Sequence, residues 1–224
     1  MAIIATPTTA VFEPALPTAS GNSLSAAVTE LIAHLARMRP STGLGDDWLA
    51  LTKAPELTDA VDSLHDGAAD RRVLHWLGRG PGLTPSGDDL LVGMVAALWF
   101  ISAVDSFKLA PFRKLFESTE SRLTTDISVE HLHYACRGMF TGGVIDLLVA
   151  LDQANEAAAL DALARLGRYG HNSGMDCTLG VVTALCHAPM PLRPRRLLTG
   201  RLDLRQDRII VGHRTPDNGS FDPR

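Results

Sequence analysis

The chain has 224 residues, with 21 Lys and Arg against 25 Asp and Glu for a formal charge of −4, and 46% of it is hydrophobic. That is enough apolar material to offset the ordering entropy of a core, so disorder throughout is excluded. The 19 glycines and 13 prolines likewise exclude a collagen-like or linker-dominated class.

In chain order, Ser23 to Met38 carries apolar residues at helical spacing, with Asn22 or Ser23 as N-cap and Pro40 as the stop. Thr58 to Leu77 predicts a second helix, with Val61, Leu64, Ala68, Val73, Leu74 and Leu77 on its buried side. Asp88 to Val104 predicts a third. Its apolar part, Leu90 to Val104, is fifteen residues long. A bilayer span needs about 17–25, so this segment predicts a buried core helix and no membrane partner. Further helices follow over Pro111–Glu117, Ser128–Phe140, Gly143–Leu151, Glu156–Leu166 and Ser173–His187. The predicted body, residues 1–188, is a mainly α helical bundle. The part of that body from about 70 to 187 holds the motifs described below.

Residues 189–224 read differently. They hold eight Arg and four Asp, a balance of +4, so residues 1–188 carry −8. Arg196–Leu204 and Arg208–Gly212 predict two short strands, a small β element in a basic, partly extended C-terminal segment. No aromatics are interleaved with the arginines and no reader motif occurs, so nucleic acid is not an expected partner. Met1 to Pro7 shows no basic region followed by a long apolar stretch, and Cys136, Cys177 and Cys186 form no C-x-x-C pair. The expected setting is a reducing cytoplasm.

The most informative feature is an internal echo. Leu77-Gly78-Arg79-Gly80-Pro81-Gly82-Leu83-Thr84-Pro85-Ser86-Gly87-Asp88-Asp89 is followed by Gly93, Ala97 and Leu98. Leu166-Gly167-Arg168-Tyr169-Gly170-His171-Asn172-Ser173-Gly174-Met175-Asp176 is followed by Gly180, Ala184 and Leu185. Each is a helix ending in Leu-Gly-Arg, a glycine-bearing loop, and Ser-Gly-x-Asp-x-x-x-Gly-x-x-x-Ala-Leu, with identical spacing across thirteen residues. The bundle is thus expected to contain two similar helix–Gly loop–helix units. Thr84 before Pro85 predicts an N-cap with proline at the first helical position, and Asn172 or Ser173 caps the second helix. Gly93 with Ala97, and Gly180 with Ala184, allow close helix approach.

Two accounts of these loops stay open. Caps, first-turn acids and close packing explain much of the pattern as architecture alone. The functional account adds that Gly80, Gly82 and Gly87, beside unpaired helix-start N–H groups, make a cradle for a small anion. Thr84, Ser86, Asp88, Asn172, Ser173 and Gly174 would contribute to such a site, with Arg79 and Arg168 offsetting the acids. His171, Asp89 and Asp176 are the candidate proton carriers. No cofactor motif or dedicated metal-ligand spacing occurs; Mg²⁺ between these aspartates and a phosphate is the one such ion the chemistry allows. His131 and His133 point to different faces of a helix and make a poor metal pair. Cys177 in a first turn reads as a buried, inert thiol. Ser41-Thr42-Gly43-Leu44-Gly45-Asp46-Asp47 faintly resembles the first loop and reads equally as a polar turn.

The run Gly80-Pro81-Gly82-Leu83-Thr84-Pro85-Ser86-Gly87-Asp88-Asp89, with Gly170-His171-Asn172-Ser173-Gly174-Met175-Asp176, resembles the AllH-type family of oxamate carbamoyltransferase subunits in anaerobic allantoin breakdown. The resemblance implies a subunit of a system that exchanges a carbamoyl group between oxalurate, phosphate, oxamate and carbamoyl phosphate. It implies FdrA-like and AllG-like subunits as partners. A non-catalytic assembly subunit and a stand-alone binder or hydrolase of another small carboxylate are the alternatives. Self-association is left open.

Overall fold

A computed structural model describes residues 16–20, 24–45, 47–117 and 123–188. Among these residues the protein is mainly helical and has no β-strand. The expected strands at Arg196–Leu204 and Arg208–Gly212, and the N-cap at Asn22 or Ser23, lie outside the described residues.

The helices are α1 (Leu24–Met38), α2 (Trp48–Leu51), α3 (Pro55–Asp66), α4 (Arg71–Leu74), α5 (Ser86–Phe100), α6 (Ala110–Glu117), α7 (Asp126–Ala135), α8 (Gly142–Asp152), α9 (Glu156–Leu166) and α10 (Ser173–His187). Helix α1 begins where the apolar spacing predicts, and its stripe Leu24, Val28, Leu31 and Leu35 is buried. The expected single helix over Thr58–Leu77 is two. Gly67 takes a left-handed φ of 69° that closes α3, its N–H bonding to Leu64 O and that of Ala68 to Ser63 O. Asp70 then caps α4 by accepting from the Arg72 N–H at 2.9 Å. The apolar pattern runs through the break because both pieces bury the same side. Helix α2 had no sequence signal beyond Trp48; Asp47 caps it and the Trp48 indole N–H holds Pro40 O at 3.0 Å. Helix α7 stops at Ala135, short of Phe140, with Gly138 at a φ of 75° beyond it.

Helices α5 and α10 pack against each other at the centre, and nearly every residue of both is buried. Their glycines explain how close they come. A methyl group built on Gly93 would lie 2.0 Å from the Cys177 carbonyl oxygen, and one on Gly180 would lie 2.0 Å from that of Leu90. The contacts are reciprocal and in register with the echo, so the two backbones touch at one crossing with no side chain between them. Six residues earlier, Gly87 and Gly174 make close approaches of another kind. There a methyl would meet Trp76 O at 2.0 Å and Leu166 O at 1.8 Å, which seats each helix start on the end of the preceding segment. Around this pair, α7 packs on α5, α1 and α3 on α10, α9 on α8, and α6 on α7. No described helix is long and apolar enough to cross a membrane.

Candidate functional site

The crossing brings the two glycine loops together. Thr84 Oγ1 and Ser173 Oγ, 89 positions apart in sequence, are 2.8 Å from each other. Helix α5 begins at Ser86, with Pro85 as its N-cap and no side-chain cap. Thr84 is therefore not the N-cap that the Thr-Pro pair predicts. Its hydroxyl is spent across the loops instead. Asn172 does occupy the N-cap position of α10, without a capping bond. With its amide oxygen turned to the Gly43 N–H (3.2 Å), its NH₂ donates to His171 O (3.0 Å).

Beneath these hydroxyls lie two aspartates in equivalent positions, Asp89 on α5 and Asp176 on α10, 8% and 1% exposed. Asp176 is well supplied. Its Oδ1 accepts from the Gly43 N–H at 2.8 Å, and the Ser86 hydroxyl also acts on the carboxyl. Burial pushes its pKa up, while those two donors pull it back. Asp89 is less well supplied. The Ser173 and Thr84 hydroxyls lie against its carboxyl, yet Oδ2 is buried without a hydrogen-bond partner. Burial, reinforced by the charge of Asp176, pushes its pKa up to about 7. A carboxyl poised there gives and takes protons at neutral pH.

Asp88 points elsewhere. Its Oδ1 accepts from the Gly78 N–H at 2.8 Å and its Oδ2 from the Thr124 hydroxyl, so it ties the first loop to residues 123–125. Thr125 reinforces the tie by donating to Leu83 O and capping α7 at the Ser128 N–H. Burial raises the pKa of Asp88, and the Gly78, Thr124 and Ser128 donors oppose the rise.

The helix openings hold fewer free donors than the loops suggest. The Gly87 N–H bonds to Arg79 O, and those of Asp88 and Asp89 to Pro85 O. On α10 the Gly174 N–H goes to Tyr169 O, and those of Met175 and Asp176 to Asn172 O. Among the described residues, the Ser86 and Ser173 amides are the helix-start donors left without such a bond. Gly80, at a φ of 113°, lies against Ser86, where a methyl would come within 2.9 Å of the Ser86 nitrogen. Gly170 stands against Ser173 in the same way, a methyl there falling 3.1 Å from its Oγ. Gly80 and Gly82 are exposed.

Of the basic candidates, Arg79 stacks over the Trp76 ring at 5.1 Å and contacts His75 Nε2. Arg168 and His171 are exposed and their side chains make no hydrogen bond or ion pair among the described residues. His133 pairs with Glu117 at 3.1 Å, away from these loops. No group of three His, Cys, Asp or Glu side chains that could hold a metal occurs among the described residues. Two pockets are lined by other parts of the chain: one by α1, α8 and α9, the other around Trp99 and Lys108.

Sequence reasoning undervalued one participant. The turn at residues 41–45, where the Gly43 N–H bonds to Asp176, is part of this cluster, and the faint likeness of Ser41–Asp47 to the first loop was its only signal. Cys177 is buried next to Asp176, and burial pushes its thiol well above the ordinary range.

Fold and cluster together define an all-helical protein, among its described residues, that buries two coupled aspartates where two helix starts meet. The family model described as oxamate carbamoyltransferase subunit AllH matches residues 76–185. That stretch is of the AllH type, as its motifs indicate, and it contains both glycine loops and nearly all of the helices they open. No solved structure matches the chain.

Proposed function

We propose that this chain is a subunit of an oxamate carbamoyltransferase-like enzyme and that the meeting point of α5 and α10 binds its small anionic substrate. The observation that carries the reading is the Asp89 carboxyl, with an unpartnered buried oxygen and a pKa of about 7, flanked by the Thr84 and Ser173 hydroxyls. The AllH match over residues 76–185 supplies the reaction class.

In carbamoyl transfer, the oxamate amide nitrogen attacks the carbamoyl carbon of carbamoyl phosphate. As the N–C bond forms, the nitrogen gives up a proton and the bond to the phosphate oxygen breaks. Ionised Asp89 takes that proton; in the reverse direction its protonated form returns it. The Ser86 and Ser173 amides and hydroxyls orient the substrate carboxylate and the developing oxyanion, and this positioning is the main contribution asked of the protein. Asp89 in its protonated form also removes one negative charge from the path of an incoming anion. Mg²⁺ is included in the same trial. The remaining subunits of the enzyme, FdrA-like and AllG-like, are the proposed partners.

The test is a thermal-shift screen of the purified chain against oxamate, oxalurate, carbamoyl phosphate and phosphate, with and without Mg²⁺, repeated with Ser86→Ala and Asp89→Asn. A rise in melting temperature with oxamate or carbamoyl phosphate, lost in Ser86→Ala, is expected. A second reading, a non-catalytic assembly subunit, draws support from the helix-start amides already consumed within the fold. It predicts no shift with any anion but a stable complex with the partner subunits.

A further inference from the structure

The turn at residues 41–45 lies outside the AllH-matched segment, yet it reaches the aspartate pair. It is held firmly. Thr42, 6% exposed, accepts from the Leu44 and Gly45 N–H groups and donates to Gly45 O. The Trp48 indole anchors Pro40 just before it. At its tip Gly43 has no left-handed backbone of the kind that reserves a position for glycine. The reason for glycine is space. A methyl group there would fall 1.8 Å from Ser86 Oγ, 2.8 Å from Ser86 Cβ and 3.3 Å from Asp176 Oδ2.

We infer that Gly43 is a positioning residue of the site. Its N–H holds the Asp176 carboxyl in place while Asp89 keeps an unpaired oxygen to carry a proton, and its missing side chain leaves room for the Ser86 hydroxyl. The asymmetry is in the geometry. Asp176 takes the Gly43 N–H on one oxygen and the Ser86 hydroxyl on its carboxyl, whereas Asp89 keeps an oxygen with no partner. Each acid has hydroxyls against it, Ser86 at Asp176 and Ser173 with Thr84 at Asp89, so the backbone N–H of Gly43 is what distinguishes the two. The titratable groups facing Asp176 are Asp89 from α5 and its own neighbour Cys177, whose raised thiol stays neutral. The third acid, Asp88, is turned to Gly78 and Thr124. The inference rests on the proposed function only for the identity of the ligand, since the division of roles is a property of the free protein.

The test is a ¹³C NMR titration of aspartate carboxyls in the full chain, with Asp89→Asn and Asp176→Asn used for assignment. Gly43→Ala should move the Asp176 titration to higher pH. Ser86→Ala removes the other donor without adding bulk, should do the same, and serves if Gly43→Ala does not fold. Oxamate binding, followed by thermal shift on the same samples, should weaken at least tenfold in Gly43→Ala and recover in part in Gly43→Ala with Ser86→Gly, which relieves the clash. An Asp176 titration unchanged in both single variants would overturn the inference. A moved titration in a protein that binds no oxamate would uphold it while removing the proposed function.

Discussion

Replacing Asp89 by Asn should stabilise the protein at pH 8 far more than at pH 5. The Asp89 pKa rises from an ordinary 3.8 to about 7 on folding, and the residue is only 8% exposed, so solvent screening takes little away. Between those two values the folded chain holds a proton that the unfolded chain has released. Stability is therefore greatest below the unfolded pKa, falls as pH climbs toward 7, and levels off once both states are ionised. Linkage puts the cost of the native carboxyl at about 2 kcal/mol at pH 5 and about 4 kcal/mol at pH 8. Asn keeps the shape and never ionises. Whatever it loses in contacts is independent of pH and cancels in the comparison. The stability gap between variant and wild type should thus widen by about 2–3 kcal/mol from pH 5 to pH 8, or about 5–10 °C in melting temperature for a chain of this size. Asp88 and Asp176 titrate in both proteins, and the repulsion from Asp176 is already part of the raised Asp89 pKa. Urea denaturation followed by circular dichroism at the two pH values measures it. A gap that stays constant would refute the burial argument for Asp89.

Five other outcomes follow from the same geometry. Oxamate affinity, measured by calorimetry from pH 6 to 9, should fall as pH rises through about 7, by up to about tenfold per pH unit above it, because the anion then meets an ionised Asp89. Gly93→Ala and Gly180→Ala should each cost about 3 kcal/mol or more in chemical denaturation, since the added methyl meets a backbone carbonyl that cannot rotate away. Gly142→Ala, with nothing within 4 Å, should be neutral or slightly stabilising. Thr125→Ala should cost about 1–2 kcal/mol by removing both the α7 cap and the tie to Leu83 O, read by the same denaturation assay. With a thiol reagent the native protein should expose Cys186 alone, the buried Cys136 and Cys177 reacting only after denaturation.

Much of the helical framework was legible because each helix repeats its apolar residues on one side, and Glu156–Leu166 and Ser173–His187 are observed at those very bounds. The register of the echo was informative for a physical reason: Gly93 and Gly180 sit where two backbones meet, and Ser86 and Ser173 where two hydroxyls serve opposite acids. What was hidden was long-range. Nothing local says that Thr84 would bond to Ser173 rather than cap its own helix, or that Asp88 would face Thr124 while its neighbour Asp89 faces Asp176. The role of Gly43 was least readable, since it depends on the absence of atoms beside a helix start far along the chain. The break at Gly67 could have been read from a glycine followed by an Asp cap, but the continuous apolar pattern outweighed it.

The crossing of α5 and α10 works as a fulcrum with a very short arm. Asp89 and Asp176 each precede the touching glycine by four residues, about 6 Å along the helix axis. Tilting one helix by about 10° on that bearing would shift its acid by about 1 Å, enough to change a reaction rate by about a hundredfold. Ligand contacts or subunit docking anywhere along the far ends of these two rods would therefore be felt between the carboxyls, through a joint with no slack to absorb the movement.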